Sequence, residues 1–346
     1  MTASYYKYIL DFKRPSGTSR GVLKQKETWI LIIEDANRRG IGECGILRGL
    51  SIDDKPDYED KLKWVCQNID KGLDLLLDQL VEYPSIQFGL EIAFKSLQNQ
   101  NDFNLFPSEF TAGKASIPIN GLIWMGDRIF MKEQIDEKLA SGFSCIKMKI
   151  GAINFEEELK LLDFIRSNYD KNTIELRVDA NGAFLYKEAL TKLESLALFE
   201  IHSIEQPIKQ GQVNEMADLC LKTPLPIALD EELIGVFDVT QKENLLQTIK
   251  PQYIILKPSL IGGYRGSLEW IQLAEKLNIG WWITSALESN IGLNAIAQFT
   301  YTLHNPLPQG LGTGGLYTNN FDSPLVVNNG ELRYDTNLNW KIEFLK

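Results

Sequence analysis

The chain has 346 residues, 44% hydrophobic and 24% charged, an ordinary globular composition that excludes a disordered or fibrous chain. Its 36 basic and 46 acidic side chains leave a net charge of −10. That balance disfavours nucleic acid and membrane surfaces as partners, but it leaves room for an anionic small substrate in a local cationic pocket.

The opening MTASYYKYILDFKRP has no unbroken apolar stretch, so it reads as part of the fold and not as a signal peptide. The apolar run 29–33 is too short to span a bilayer, and a cytoplasmic location is expected. Cys44, Cys66, Cys145 and Cys220 are widely spaced and accompanied by only two histidines, which predicts reduced thiols and no zinc site. Residues 6–12, 28–34 and 40–44 predict strands. Residues 61–80 and 84–98 carry apolar side chains at helical spacing, as at Leu73, Leu76, Leu77 and Leu80. A stretch rich in Asn, Phe, Pro and Gly at 99–114 closes this α+β part, giving an expected capping domain over 1–114.

From Ala115 the pattern becomes a beat of strand then helix. Predicted strands are 117–122, 145–150, 175–179, 203–206, 227–230, 253–257, 280–284 and 310–313, with helices at 128–139, 155–167, 186–198, 213–221, 239–249, 266–277 and 292–303. Asn154 with Glu157 predicts a capping box at the second helix. Eight strands with seven helices predict an α/β fold, a (β/α)7β TIM-like barrel over 115–314. A doubly wound open sheet is the competitor, since the same beat serves both. No eighth helix follows Thr313; the tail 315–346 reads as turns and short strands that return to the capping domain.

In such a barrel, chemistry sits at the C-terminal ends of the strands. There the chain places Lys147 and Lys149, Arg177 and Asp179, Glu205, Asp230, and Lys257. Lys149, Asp179, Glu205, Asp230 and Lys257 are spaced by 30, 26, 25 and 27 positions, one βα unit each, so five charged residues are predicted to converge on one mouth. Three gathered carboxylates need a cation, and an all-oxygen set favours Mg²⁺, with Mn²⁺ as a substitute. A divalent ion on a substrate carboxylate would stabilise the enediolate formed when a lysine takes the adjacent proton. Nearby positive charge would help keep that lysine amine neutral.

These residues resemble the enolase superfamily, whose sites pair a Lys or His base with Mg²⁺, and within it the muconate-lactonising branch. The chain is most similar there to the o-succinylbenzoate synthase family. That resemblance rests on RPSGTSRG, GECGILRGLS, KMKIG, RVDANGAF, IEQP, ALDE, LKPSLIGG and TSALESNIGLNAIAQ. It implies Asp179, Glu205 and Asp230 as metal ligands, Lys149 as base and Lys257 as the lysine across the substrate. It further implies substrate contacts from Lys147, Arg177, Asn181, Gly262, Ser285 and Arg20. The implied reaction is dehydration of 2-succinyl-6-hydroxy-2,4-cyclohexadiene-1-carboxylate, a small dicarboxylate, to o-succinylbenzoate in menaquinone biosynthesis.

Two loops, 15–21 with Arg20 and 46–51 with Arg48, are expected to close over the mouth. Thr284-Ser285-Ala286 offers no histidine base, and 309–315 contains no Asp to hold a dipeptide's ammonium. N-succinyl amino acid racemisation on the same two lysines stays open, as does a homo-oligomer. A Schiff-base aldolase would leave the three carboxylates unexplained, and a non-catalytic binding protein is the remaining alternative.

Overall fold

The computed structural model describes residues 1–18, 21–99 and 101–342, so Arg20 lies outside the described residues. Three antiparallel strands open the chain: β1 (Thr2–Thr18), β2 (Gly21–Asp35) and β3 (Arg38–Gly45), in the order β1-β2-β3. All three are longer than their apolar patterns suggest, because ladder pairing continues into polar residues. Side chains alternate along β2. Trp29, Leu31 and Ile33 pack with Leu62, Ile86 and Leu90, while Ile30 and Ile32 meet Phe103, Ile291 and Phe321. Both faces are covered, which is why this segment reads as a continuous apolar run.

The single helix expected over 61–80 is broken into α1 (Tyr58–Gln67), a 3₁₀ turn Ile69–Lys71 and α2 (Leu73–Asp78). Gly72 at φ 83° breaks it, a left-handed conformation that glycine adopts at little cost. Next, α3 (Pro84–Gln98) lies directly on β3. A Cβ at Gly42 would stand 1.9 Å from the Gly89 carbonyl oxygen, so this approach requires glycine.

The second part contains β4 (Ser116–Pro118), β5 (Gly121–Ile123), α4 (Arg128–Ala140), β6 (Cys145–Lys149), α5 (Phe155–Asn168), β7 (Glu175–Asp179), α6 (Tyr186–Ala197), β8 (Ser203–Glu205) and α7 (Val213–Lys222). It continues with β9 (Ile227–Leu229), α8 (Val239–Ile249), β10 (Tyr253–Leu256), α9 (Pro258–Ile261), α10 (Gly263–Lys276), β11 (Gly280–Ile283) and α11 (Asn290–Thr302). Strands β5 to β11 form one curled parallel sheet in chain order, and this excludes the doubly wound alternative, whose strand order reverses. The eighth strand is reduced to two parallel bridges, Ile119 with Gln309 and Thr284 with Gly310, which close the ring. The capping box before α5 is only half formed. Asn154 accepts from the Glu156 N–H, but Glu157 is drawn outward to Lys160.

The tail touches both parts. Phe12 bridges Tyr317, and the hairpin β12 (Leu325–Asn328) and β13 (Glu331–Tyr334) extends β4. Among the described residues no helix is long and apolar enough to cross a membrane.

Two buried carboxylates of the N-terminal part join it to the barrel by capping barrel helices. Glu43 on β3 accepts from the backbone N–H groups of Ser289 (2.9 Å) and Gly292 (2.8 Å), at the start of α11. Glu91 on α3 accepts from the N–H groups of Tyr264 and Arg265, in the first turn of α10. A carboxylate suits a helix N-terminus because the first N–H groups there lack intrahelical partners and carry partial positive charge. Glu43→Ala, which orphans at least two buried donors, should destabilise the protein by about 3 kcal/mol in thermal or urea unfolding.

Burial raises the Glu91 carboxyl from 4.5 to about 7, against the pull of those N–H groups. The folded state then binds this proton more tightly than the unfolded chain does. Its contribution to stability is complete below pH 4.5 and is lost as the pH rises to about 7. Glu91→Gln should flatten that part of the stability–pH curve, and an unchanged slope would refute the assignment.

Candidate active site

Parallel pairing sets the charged tier. Lys149 is paired in register with Asp179, and Asp179 with Glu205, so consecutive strands end at one height. Asp230 follows β9, and Lys257 follows β10. Side chains two apart on a strand share a face. Hence Lys147 and Arg177 also point into the barrel, about 6.6 Å lower along the strand.

Lys147 reaches up from that tier. Its Nζ donates to Glu205 Oε2 and lies 3.0 Å from Asp179 Oδ2. Lys149 Nζ donates to Asp179 Oδ2 (3.0 Å) and Asn181 Oδ1 (2.7 Å). Lys257 Nζ donates to Asp230 Oδ2 and stands 3.9 Å from Glu205 Oε1. The three carboxylates are at most 2% exposed and would be prohibitively costly to bury unpaired.

The charge is unevenly compensated. Burial works to raise the Asp179 carboxyl, but Lys147, Lys149 and Lys257 hold it far below the ordinary range. Glu205 is pushed up to about 8 by burial and by the neighbouring charges of Asp179 and Asp230. Asp230 is raised by burial despite Lys257. Lys257 is itself held well above the usual lysine value, because Asp230, Glu205 and Glu231 outweigh its burial.

Among the described residues no three His, Cys, Asp or Glu side chains converge closely enough to ligate one ion, since the carboxylates are divided between ammoniums. The donor set nevertheless fits a hard divalent cation. It is buried, all oxygen and negative, and Glu205 Oε1 has no hydrogen-bond partner.

A cavity of about 860 Å³ opens over this tier, walled by Lys147, Lys149, Asp179, Asn181, Lys257 and Ser285 below and by Leu47, Arg48 and Leu50 of the N-terminal part above. Arg48 is held at the rim by Glu27 and Asp54. Ser285 shares a hydrogen bond with Thr313 (2.6 Å).

Arg177 is not brought to this wall. Its guanidinium bonds Glu175 Oε1 (2.7 Å) and the Pro308 carbonyl (2.8 Å), and it stacks on Trp282 at 4.2 Å. Sharing a face with Asp179 put Arg177 inside the barrel, but one tier down, where these partners hold it. Gly262 is also off the described wall. At φ 96° it ends α9 and starts α10 beneath Gln87. His202 meets Ser203, Tyr253 and Trp282 on the barrel strands, away from the cavity wall.

Two residues of this region were given no site role by the sequence, Glu231 being readable there only as a helix N-terminal acid within ALDE. Glu231 lines the cavity and accepts from Asn181 Nδ2 (3.2 Å). On a continuing strand it would face away from Asp230. Here the strand ends at Leu229 and a 3₁₀ turn begins at Glu231, which lets both neighbours face inward. Gln206 is fully buried among the segments that follow the carboxylate-bearing strands. Its one visible sequence signal was its place in IEQP.

A curled parallel sheet with all its charged strand ends under an antiparallel cap defines an enolase-type barrel. The family described as "Enolase C-terminal domain-like" matches residues 131–337, and "MenC, N-terminal domain" matches residues 1–97. The chain is 45% identical to an o-succinylbenzoate synthase of Desulfotalea psychrophila, over 96% of this chain and 98% of that protein. The crystal structure of MenC from that organism superposes with a TM-score of 0.86 at 41% identity, covering 96% of this chain and 99% of the other. An N-succinyl-L-Arg/Lys racemase of Bacillus cereus is 26% identical over 66% of this chain and 61% of its own length. The chain belongs to the enolase superfamily and, within it, to the o-succinylbenzoate synthase family.

Arg177→Leu should lower stability by about 2 kcal/mol through lost pairing and stacking, yet leave the substrate KM within about threefold. A KM raised tenfold or more at unchanged stability would put the guanidinium in the substrate site instead.

Proposed function

We propose that the protein dehydrates 2-succinyl-6-hydroxy-2,4-cyclohexadiene-1-carboxylate to o-succinylbenzoate, a lyase step of menaquinone biosynthesis carried out in the cytoplasm. The observation that carries this reading is full-length identity of 45% to an o-succinylbenzoate synthase. The lysine and carboxylate tier at one cavity supports it. The racemase relative is matched over only 66% of this chain, so the dehydratase reading is preferred.

Asp179, Glu205 and Asp230 would hold Mg²⁺, with Mn²⁺ as a substitute. When bound, that ion supplies positive charge that makes a proton next to a carboxylate easier to remove.

The remaining roles fall to the chain. Strands β6 and β10 lie four positions apart in an eight-position ring, so Lys149 and Lys257 face each other across the cavity. Lys149 Nζ, as a neutral amine, takes the proton α to the ring carboxylate. It then returns that proton to the departing hydroxyl on the same face, which leaves as water and restores the amine. Lys257 would act as an ammonium; without a metal, Asp230, Glu205 and Glu231 favour its charged form. It would stabilise the anionic ring from the opposite side. Lys147 completes a cationic floor suited to a dicarboxylate, and Asn181 orients Lys149 through its 2.7 Å hydrogen bond. The net charge of −10 is no obstacle, since the three lysines together with a bound divalent cation would make the field at the cavity positive locally.

Three measurements test the assignment. EDTA should abolish turnover, and Mg²⁺ or Mn²⁺ should restore it; full activity in metal-free buffer would refute the metal role. Asp230→Asn should lose at least a hundredfold in kcat/KM while remaining folded by circular dichroism. Lys149→Ala should lose both product and exchange of the substrate α-proton with solvent. Robust dehydration by Lys149→Ala would refute its role as the base.

A further inference from the structure

We infer that Gln206 is a positioning residue that sets the separation of the three carboxylates, and so the affinity of the tier for a divalent cation. The inference rests on the metal reading above and deepens it. Gln206 follows Glu205 directly and is fully buried. Its backbone sits at φ 39°, a left-handed conformation unusual for a side chain other than glycine. Such a conformation persists only where the surroundings fix it.

The surroundings here come from all three carboxylate-bearing strands. The Gln206 carbonyl accepts from the Gly182 N–H (2.7 Å), in the loop that follows Asp179. The Gln206 N–H donates to the Ala228 carbonyl (3.0 Å) on β9. Its side-chain Oε1 accepts from the N–H of Asp230 itself (3.2 Å) and of Glu232 (3.4 Å). Nε2 donates to the Ile208 carbonyl (3.0 Å) and to Glu232 Oε2 (3.2 Å). The other Glu232 oxygen accepts from the Gly211 N–H (3.0 Å), which anchors the loop after Gln206.

These partners settle which way the amide faces, because its oxygen meets only donors and its nitrogen only acceptors. The main chain of Gln206 thus ties β8 to the β7 loop and to β9. Its side chain grips the N–H of Asp230. Asp230 needs that grip, since its strand has already ended at Leu229 and its own conformation, φ −126° and ψ −82°, belongs to neither strand nor helix. Without it, Asp230 would be free to follow Lys257 alone, and the tier would lose its fixed spacing.

The test is direct binding of Mn²⁺ to the full chain, followed by the electron paramagnetic resonance signal of free Mn²⁺. Gln206→Met keeps the volume and removes every side-chain hydrogen bond. Gln206→Gly removes the side chain but suits the left-handed backbone, so it guards against a simple failure to fold. Both variants should bind Mn²⁺ about 10- to 100-fold more weakly than wild type, the usual cost of losing a group that orients a metal ligand. At saturating Mn²⁺ their KM for the organic substrate should stay within about threefold. A purely structural role would lower the melting temperature without moving the Mn²⁺ constant. Binding within twofold of wild type in both folded variants would therefore overturn the inference. Failure of the wild type itself to bind Mn²⁺ would overturn the metal reading first, and this inference with it.

Discussion

Mutual neutralisation of buried charge at the barrel mouth is the constraint to which the rest of the structure answers. Asp179, Glu205 and Asp230 are all but excluded from water, Lys147 is buried with them, and the ammoniums of Lys149 and Lys257 are largely buried. Ions buried this deeply persist only where each finds an opposite charge at contact distance, because the desolvation cost is several kcal/mol per ion. The balance is not even. Asp179 draws on three ammoniums, whereas Glu205 is left under-compensated between two other carboxylates.

Holding such a cluster requires rigid walls, and the parts of the fold that look merely architectural provide them. Parallel register puts Lys149, Asp179 and Glu205 at one height without any loop having to be tuned. Glu158, fully buried on α5, accepts from the Gly151 N–H (2.7 Å) and so pins the loop that leaves Lys149. Below the tier, Arg177 fills the barrel interior against Trp282. Above it, Glu43 and Glu91 cap two barrel helices from the N-terminal part. The cap is therefore bonded into the barrel frame and positions the rim residues Leu47, Arg48 and Leu50 over the cavity.

The two lysines that face each other across the cavity have unlike surroundings. Lys257 faces Asp230, Glu205 and Glu231, and these keep it cationic. Lys149 contacts one carboxylate oxygen and the neutral amide of Asn181.

Much of the architecture was legible in the chain itself, because periodicity survives without tertiary contacts. The helical spacing of 84–98 and the beat of strands and helices from 115 onward come from local burial patterns, and α3 and the curled sheet appear where those patterns lie. The five charged strand ends were legible for the same reason, since one βα unit separates each from the next. Three-dimensional packing decided what periodicity cannot encode. It ended β9 one residue early, which turned Glu231 inward beside Asp230. It gave Arg177, one tier below Asp179, the partners Glu175 and Trp282 that keep it off the cavity wall, whereas Lys147 on the same tier reaches up to the carboxylates. It broke the 61–80 helix at Gly72, and it set Gln206 between three strands through hydrogen bonds to residues as far off as Glu232. Alternation and spacing along a strand fix which face and which tier a side chain takes; its partner and its charge state depend on neighbours that only the closed barrel brings together.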